Sequence, residues 1–135
     1  MRIRSIRSKA ALFAGVVVLA GLSSSTASAG EAANWECSKG YVCFYSNGNG
    51  SSYGEKCSWQ GNNSDWQKKP GCGWSSSKKV RSVYNNGTSG MDVLYYDAAG
   101  NHGADKVGCV SSGKKKNLDA PTALRSHKWV GENCR

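Results

Sequence analysis

"VCFYSNGNG", Val42 to Gly50, is the stretch on which the fold turns. A run of β-branched and aromatic residues ends in two Asn-Gly steps, Asn47-Gly48 and Asn49-Gly50, whose residues tolerate the positive φ that tight turns demand. The same shape returns as "VLYYDAAGNHG" at Val93 to Gly103. Each copy is followed by a second echo: "VRSVYN" at Val80 to Asn85 is answered by "LRSHKW" at Leu124 to Trp129. Each half of the chain therefore carries an aromatic strand, a Gly-bearing turn and, later, an Arg-Ser step in another strand. Tyr45 and Tyr96 lie 51 positions apart and Ser82 and Ser126 lie 44 apart, as expected if two related halves differ in their loops. Two four-stranded units packed face to face would each bury one face of a sheet.

The rest of the chain agrees with an all-β reading. Strand-like runs fall at Tyr41 to Tyr45, Val80 to Tyr84, Val93 to Tyr96, Lys106 to Val110 and Arg125 to Val130. Gly, Asn and Ser interrupt every apolar period of 3.6 before it spans three turns, which excludes long helices.

The first residues set the expected compartment. Arg2, Arg4, Arg7 and Lys9 precede an apolar run from Ala10 to Leu22, and Ala27-Ser28-Ala29 supplies small residues for cleavage. Residues 1–29 thus read as a secretory signal peptide, and 30–135 as a single exported domain. The apolar run falls short of the ~20 residues of a membrane span, and no later segment approaches that length. Without residues 1–29 the chain has 14 basic and 9 acidic residues, a net charge of +5 on 106 residues. That is thin for a nucleic-acid binder, which usually shows a dense basic stripe. No nucleic-acid partner is expected, and a monomer is.

All six cysteines, 37, 43, 57, 72, 109 and 134, lie beyond residue 29. An even count in a small exported domain implies three disulfides, with several connectivities open on paper. Cys37 and Cys43 are placed to pair locally across "SKGYV"; among the others, Cys57 with Cys72 and Cys109 with Cys134 are favoured. No C-x-x-C pair is present, so a zinc site is not indicated.

The paired pattern resembles the two Greek keys of a βγ-crystallin-type domain, a disulfide-stabilised double Greek-key sandwich. The wider set "ECSKGYVCFY", "VRSVYNNGT", "KVGCV" and "ALRSHKW" is similar to exported bacterial inhibitors, the streptomycete metalloproteinase inhibitor-like proteins of peptidase inhibitor family thirty-six. The resemblance implies a protein inhibitor of an extracellular protease, a thermolysin-like zinc metalloprotease, acting through a substrate-like loop. It places the reactive bond at Cys109-Val110, after Lys106-Val107, with Gly108 and Ser111 as flanking contacts. An extended segment can pair with a protease's edge strand while alternate side chains fill pockets. On this reading Val110 enters an apolar pocket and the Cys109 carbonyl approaches the enzyme's zinc. Ser111 to Lys116 contains no cysteine, so Cys109 must bond to a distant partner.

Other residues carry weaker signals. Lys114, Lys115 and Lys116 read as a solvated turn or a charged guard against edge-to-edge pairing, and they can also steer the loop to an acidic cleft. βγ-crystallin relatives often bind calcium through Asp or Asn ahead of a strand serine; here those places hold Lys78 and Lys79, and Pro121 and Thr122. Hard cations need oxygen ligands, so no calcium site of that type, no other metal and no cofactor is expected. Of the five tryptophans most should be core, with one or two between Trp59 and Trp74 exposed as a stacking platform. Neither G-x-S-x-G nor H-E-x-x-H is present. Glu55, Arg81 and His127 contain the residue types of a small nuclease site, but a surface histidine is the default and no enzyme is expected. Asn62-Asn63-Ser64 and Asn86-Gly87-Thr88 match glycosylation sequons yet read better as turns. The rival to inhibition is a secreted toxin or envelope-binding protein on the same scaffold, since fold does not fix function.

Overall fold

The computed structural model describes residues 33–68 and 72–134; the expected signal peptide, residues 1–29, lies outside them. Among the described residues seven strands occur, in the order β1 Val42–Tyr45, β2 Lys56–Trp59, β3 Val80–Asn85, β4 Asp92–Tyr96, β5 Lys106–Val110, β6 Lys115–Thr122 and β7 Ser126–Val130. Helical structure among the described residues is confined to 3-10 turns of three or four residues. No helix there is long and apolar enough to cross a membrane.

The strands form two antiparallel sheets, one ordered β2-β1-β3-β6 and the other β5-β4-β7. In each half the last strand returns beside the first, as a Greek key requires. The third element of each half crosses over. β6, from the second half, pairs with β3, and Asn63, from the first half, bridges His127 of β7.

The internal echo has a physical basis. Tyr45 faces Ser82 across β1 and β3, and Tyr96 faces Ser126 across β4 and β7. Ser82 Oγ donates to the Asn47 carbonyl at 2.7 Å and accepts from Gly50 N at 3.0 Å. Ser126 Oγ donates to the Ala98 carbonyl at 2.6 Å and accepts from Asn101 N at 3.3 Å. Each fully buried serine therefore staples the folded turn that follows the first strand of its own half. Both turns use two consecutive residues at positive φ, Asn49 and Gly50 in one and Gly100 and Asn101 in the other.

The core is aromatic because few large aliphatics are available. Phe44 and Trp66 lie 4.7 Å apart between ring centroids, as do Trp59 and Trp66, and the His127 ring lies 4.7 Å from Trp59. Trp66 is fully buried and Trp59 nearly so, while Trp74 packs against the core cluster. The expected exposed tryptophan between Trp59 and Trp74 is therefore not found; the exposed aromatic is Tyr53, at 83%. His127 is likewise no surface histidine. Its Nδ1 accepts from the Trp66 indole N–H at 2.9 Å, so Nε2 carries the proton and donates to the Gly61 carbonyl at 2.8 Å.

Three disulfides join Cys37 to Cys43, Cys57 to Cys72 and Cys109 to Cys134, the pairs favoured from the sequence. The Cys57–Cys72 bridge, of sequence separation 15, corresponds to about 3 kcal/mol in the chain-entropy account. Asp65 adds a polar tie. Its carboxylate takes two hydrogen bonds from Arg125, at 3.1 and 3.3 Å, and one from Gln67 N at 3.1 Å.

Two predictions follow from these ties. Ser82→Ala and Ser126→Ala should each lower the urea unfolding free energy by about 1–3 kcal/mol, since each leaves a buried carbonyl and N–H unpaired; a neutral effect would deny the staple its role. The hydrogen bond from Arg125 holds the Asp65 carboxyl below its usual value. A lowered folded-state pKa stabilises the protein above the unfolded value, near 3.8, and that contribution disappears as pH falls through the lowered one. Arg125→Gln should thus destabilise the protein at neutral pH and converge on the wild type at pH values below that range, as read from unfolding curves against pH.

Candidate functional site

Strand β5 is the outermost strand of its sheet, so one backbone edge has no strand partner among the described residues. Its register on β4 places Val110 opposite Val93, Cys109 opposite Leu94 and Gly108 opposite Tyr95. Gly108 is required there: a Cβ at that position would lie 2.6 Å from the Tyr95 hydroxyl oxygen and 2.7 Å from its ring. Tyr95 is buried beneath the strand, and burial, aided by the charge of Asp119, pushes its phenol up to about 12.

Val110 faces inward. At 2% exposure it belongs to the core cluster with Val93 and Tyr95, and its carbonyl accepts from Asn85 Nδ2 at 3.3 Å. The alternation of the strand that buries Val110 turns its neighbour away, and Cys109 is half-buried, as are Gly108 and Ser111. The side chain expected to reach a partner's pocket is thus part of the domain's own packing. What faces outward over Gly108 to Ser111 is Cys109, the strand edge and the start of the following turn.

Polar side chains that the sequence reading missed hold this segment. Asp92, at the start of β4, is 5% exposed. Its Oδ1 accepts from Ser112 N at 3.1 Å, and its Oδ2 accepts from Asn133 N at 2.7 Å and Cys134 N at 2.9 Å. One carboxylate thus fastens the turn after β5 to the C-terminal segment, beside the disulfide that joins the same two segments. Asp92, Cys109 and Cys134 offer ligand atoms within 4.8 Å of one another. The two sulfurs are spent on each other and the carboxylate on backbone amides, so the group reads as a structural clamp.

Asn85 is the second fastener. Its Nδ2 also donates to the Met91 carbonyl at 2.9 Å, its Oδ1 accepts from Gly87 N at 3.0 Å, and its backbone bonds Lys114 O and Gly113 N. The turn Ser111 to Lys114 closes with Lys114 N donating to Ser111 O at 3.0 Å, and Gly113 sits at φ 71°, where glycine carries no steric cost. The only sequence signal for either fastener is a polar residue at the end of an otherwise apolar strand, Asn85 after Val83-Tyr84 and Asp92 before Val93-Leu94.

The lysines divide by role. Lys115 and Lys116 begin β6, rather than filling a solvated turn, and Lys115 Nζ lies 4.9 Å from the Tyr84 ring and 5.9 Å from that of Trp35. Lys106, Lys114 and Lys116 are exposed and make no ion pair among the described residues. Lys78, at one of the positions weighed for calcium, pairs with Glu55 at 2.7 Å. Glu55, Arg81 and His127 do not converge, because His127 is fully buried in the core while the other two are exposed.

A stapled β-sandwich with one fastened, outward-facing strand edge is a scaffold suited to holding a protein partner. The family model described as peptidase inhibitor family I36 matches residues 30–107. The chain belongs to peptidase inhibitor family I36, and is therefore an inhibitor of a peptidase and not an enzyme. No curated protein and no solved structure matches it. The family match stops at Val107, ahead of Cys109 and of β6.

Asp92→Ala should raise amide exchange at Ser112, Asn133 and Cys134 by about tenfold or more, since charge-assisted hydrogen bonds contribute roughly 1.5–3 kcal/mol each. Exchange at Ser82 and Phe44 should change less if the clamp is local; a uniform rise would place the effect in global unfolding instead.

Proposed function

We propose that this protein is exported and, as a monomer, inhibits an extracellular thermolysin-like zinc metalloprotease through the face that carries Gly108, Cys109, Val110 and Ser111. Membership of a peptidase inhibitor family supplies the activity. The observation that carries the choice of face is the double fastening of this segment, by the Cys109–Cys134 bridge and by Asp92. A segment already held in shape loses little freedom on binding, so more of its contact energy appears as affinity. Three disulfides suit an oxidising compartment outside the cell.

The contact at Cys109-Val110 is then a main-chain contact. Backbone groups of the strand edge pair with an edge strand of the protease, while the Val110 side chain stays in the inhibitor's core. The exposed Lys106, Lys114 and Lys116 favour approach to an acidic rim, an attraction that weakens with salt.

Titration of thermolysin-like, subtilisin-like and trypsin-like enzymes tests the target. Stoichiometric loss of the metalloprotease activity alone is expected. Ser111→Trp, which puts a large ring on a half-buried turn position, should weaken inhibition by about tenfold, on the scale of ~1.4 kcal/mol per decade, while the circular dichroism is unchanged. Inhibition of a serine protease in place of the metalloprotease would refute the target, and full potency of Ser111→Trp would refute the face.

A further inference from the structure

Strand β6 pairs irregularly with β3. Val80 pairs with Thr122 and Ser82 pairs with Asn117, so Arg81 alone on β3 stands opposite the four residues Leu118, Asp119, Ala120 and Pro121. Three residues are in excess, and β6 lies at the edge of its sheet, so the surplus has to leave the ladder. Asp119, Ala120 and Pro121 are exposed and Leu118 is half-buried, packed against the core.

This segment is a ridge between two hollows. One, of about 490 Å3, is lined by Asn47, Gly48, Arg81 and Asn117 together with Leu118, Asp119 and Pro121. The other, of about 220 Å3, lies between β5 and β6, where Val107 and Tyr95 face Lys116 and the same ridge. Across the smaller hollow the ridge meets Val107 of β5, the residue just before the segment assigned above to the protease.

Both ends of the ridge are held. Asn117 Nδ2 donates to Asn49 Oδ1 and Asn117 Oδ1 accepts from Asn49 N, each at 2.8 Å. At the other end Thr122 Oγ1 donates to the Ala120 carbonyl at 3.0 Å, and the Thr122 carbonyl accepts from the N–H of Leu124, which is buried. Pro121 fixes one more backbone angle and Leu118 roots the base. At the crest, the Asp119 carboxylate forms no hydrogen bond or ion pair among the described residues, although Arg81 and Lys116 border the two hollows.

A catalytic zinc held by three protein ligands keeps a coordination position open to water or substrate, and a carboxylate oxygen is a competent occupant of it. From these features we infer that the Leu118–Pro121 ridge enters the active-site cleft of the metalloprotease and that the Asp119 carboxylate takes the open position on its zinc. The lips of the cleft fall into the two hollows, and the small Ala120 permits close approach. The inference rests on the metalloprotease reading and assigns that reading its metal-directed group.

The test compares wild type and Asp119→Asn against a thermolysin-like enzyme with zinc and the same enzyme after zinc removal, measured by calorimetric binding and, for the zinc form, by inhibition. Asp119 makes no hydrogen bond or ion pair among the described residues, so the variant should keep its fold, checked by its thermal unfolding midpoint. The expected result is a loss of about tenfold or more in affinity of Asp119→Asn for the zinc enzyme, the scale of one lost charge-assisted contact. Wild type should show a similar loss on zinc removal, and the variant should be indifferent to the metal. Equal potency of variant and wild type, or an equal deficit of the variant against the zinc-free enzyme, overturns the role of Asp119 while the metalloprotease reading stands. A wild type that leaves every metalloprotease active removes both together.

Discussion

The hydrogen bond from the Trp66 indole to His127 Nδ1 ties the two halves together inside the aromatic core, where the β3–β6 ladder and the Asp65–Arg125 pair tie them at the rim. Trp66 comes from the irregular segment between β2 and β3, and His127 comes from the last strand of the second half. Their rings meet Phe44 and Trp59 of the four-stranded sheet, so this polar contact lies within the aromatic stack. An indole N–H buried beside hydrocarbon needs an acceptor, and imidazole can supply one only as the neutral tautomer whose other nitrogen donates elsewhere. The Gly61 carbonyl accepts that hydrogen bond from Nε2, and the backbone bridge between Asn63 and His127 closes the arrangement. With few large aliphatics to fill the interior, orientation of rings has to do what bulk does in larger domains.

The halves and their serines were legible in the sequence because they rest on local chemistry. A strand that ends in Asn-Gly must turn, and a serine one strand away can staple that turn; both leave marks at fixed places. β2 and β6 left weaker marks. "KCSW" is too short to show its alternation, and "KKNLDAPT" offers charges, a proline and one large apolar residue because its strand is an edge that buries almost nothing. β5 and β7 are edges too, but their β-branched and aromatic residues mark them, whereas β2 and β6 have few such residues and propensity reads past them.

The candidate site was legible by place and less so by direction. The Cys109–Cys134 pair, one of those favoured among the connectivities that the cysteine count leaves open, is present. Whether Val110 faces in or out depends on the phase of a period-two strand, and a shift of one residue exchanges the faces. Nothing in "KVGCV" alone fixes that phase. It is set by Val93 opposite Val110 and by Tyr95 beneath Gly108, residues drawn from another strand. Asp92 and Asn85 were hidden for a related reason. Each is one polar residue that reaches distant backbone groups, Val110 for Asn85 and Ser112, Asn133 and Cys134 for Asp92, and spacing in sequence carries no record of such bonds.

An inhibitor built on open strand edges faces a conflict, because the edge that can receive a protease can also receive another copy of itself. The charges here bear on that conflict. Lys106 on β5 and Lys114 to Lys116 at the turn and the start of β6 place a cluster of positive charge along these edges. A second copy would bring lysine against lysine, whereas a protease with an acidic rim would be drawn in. The surplus residues of β6 act in the same sense by geometry, since a segment thrown out of the ladder cannot be continued by a flat neighbouring strand. The irregularity that spoils self-pairing is also what raises a ridge, so protection from aggregation and presentation to a partner come from the same four residues.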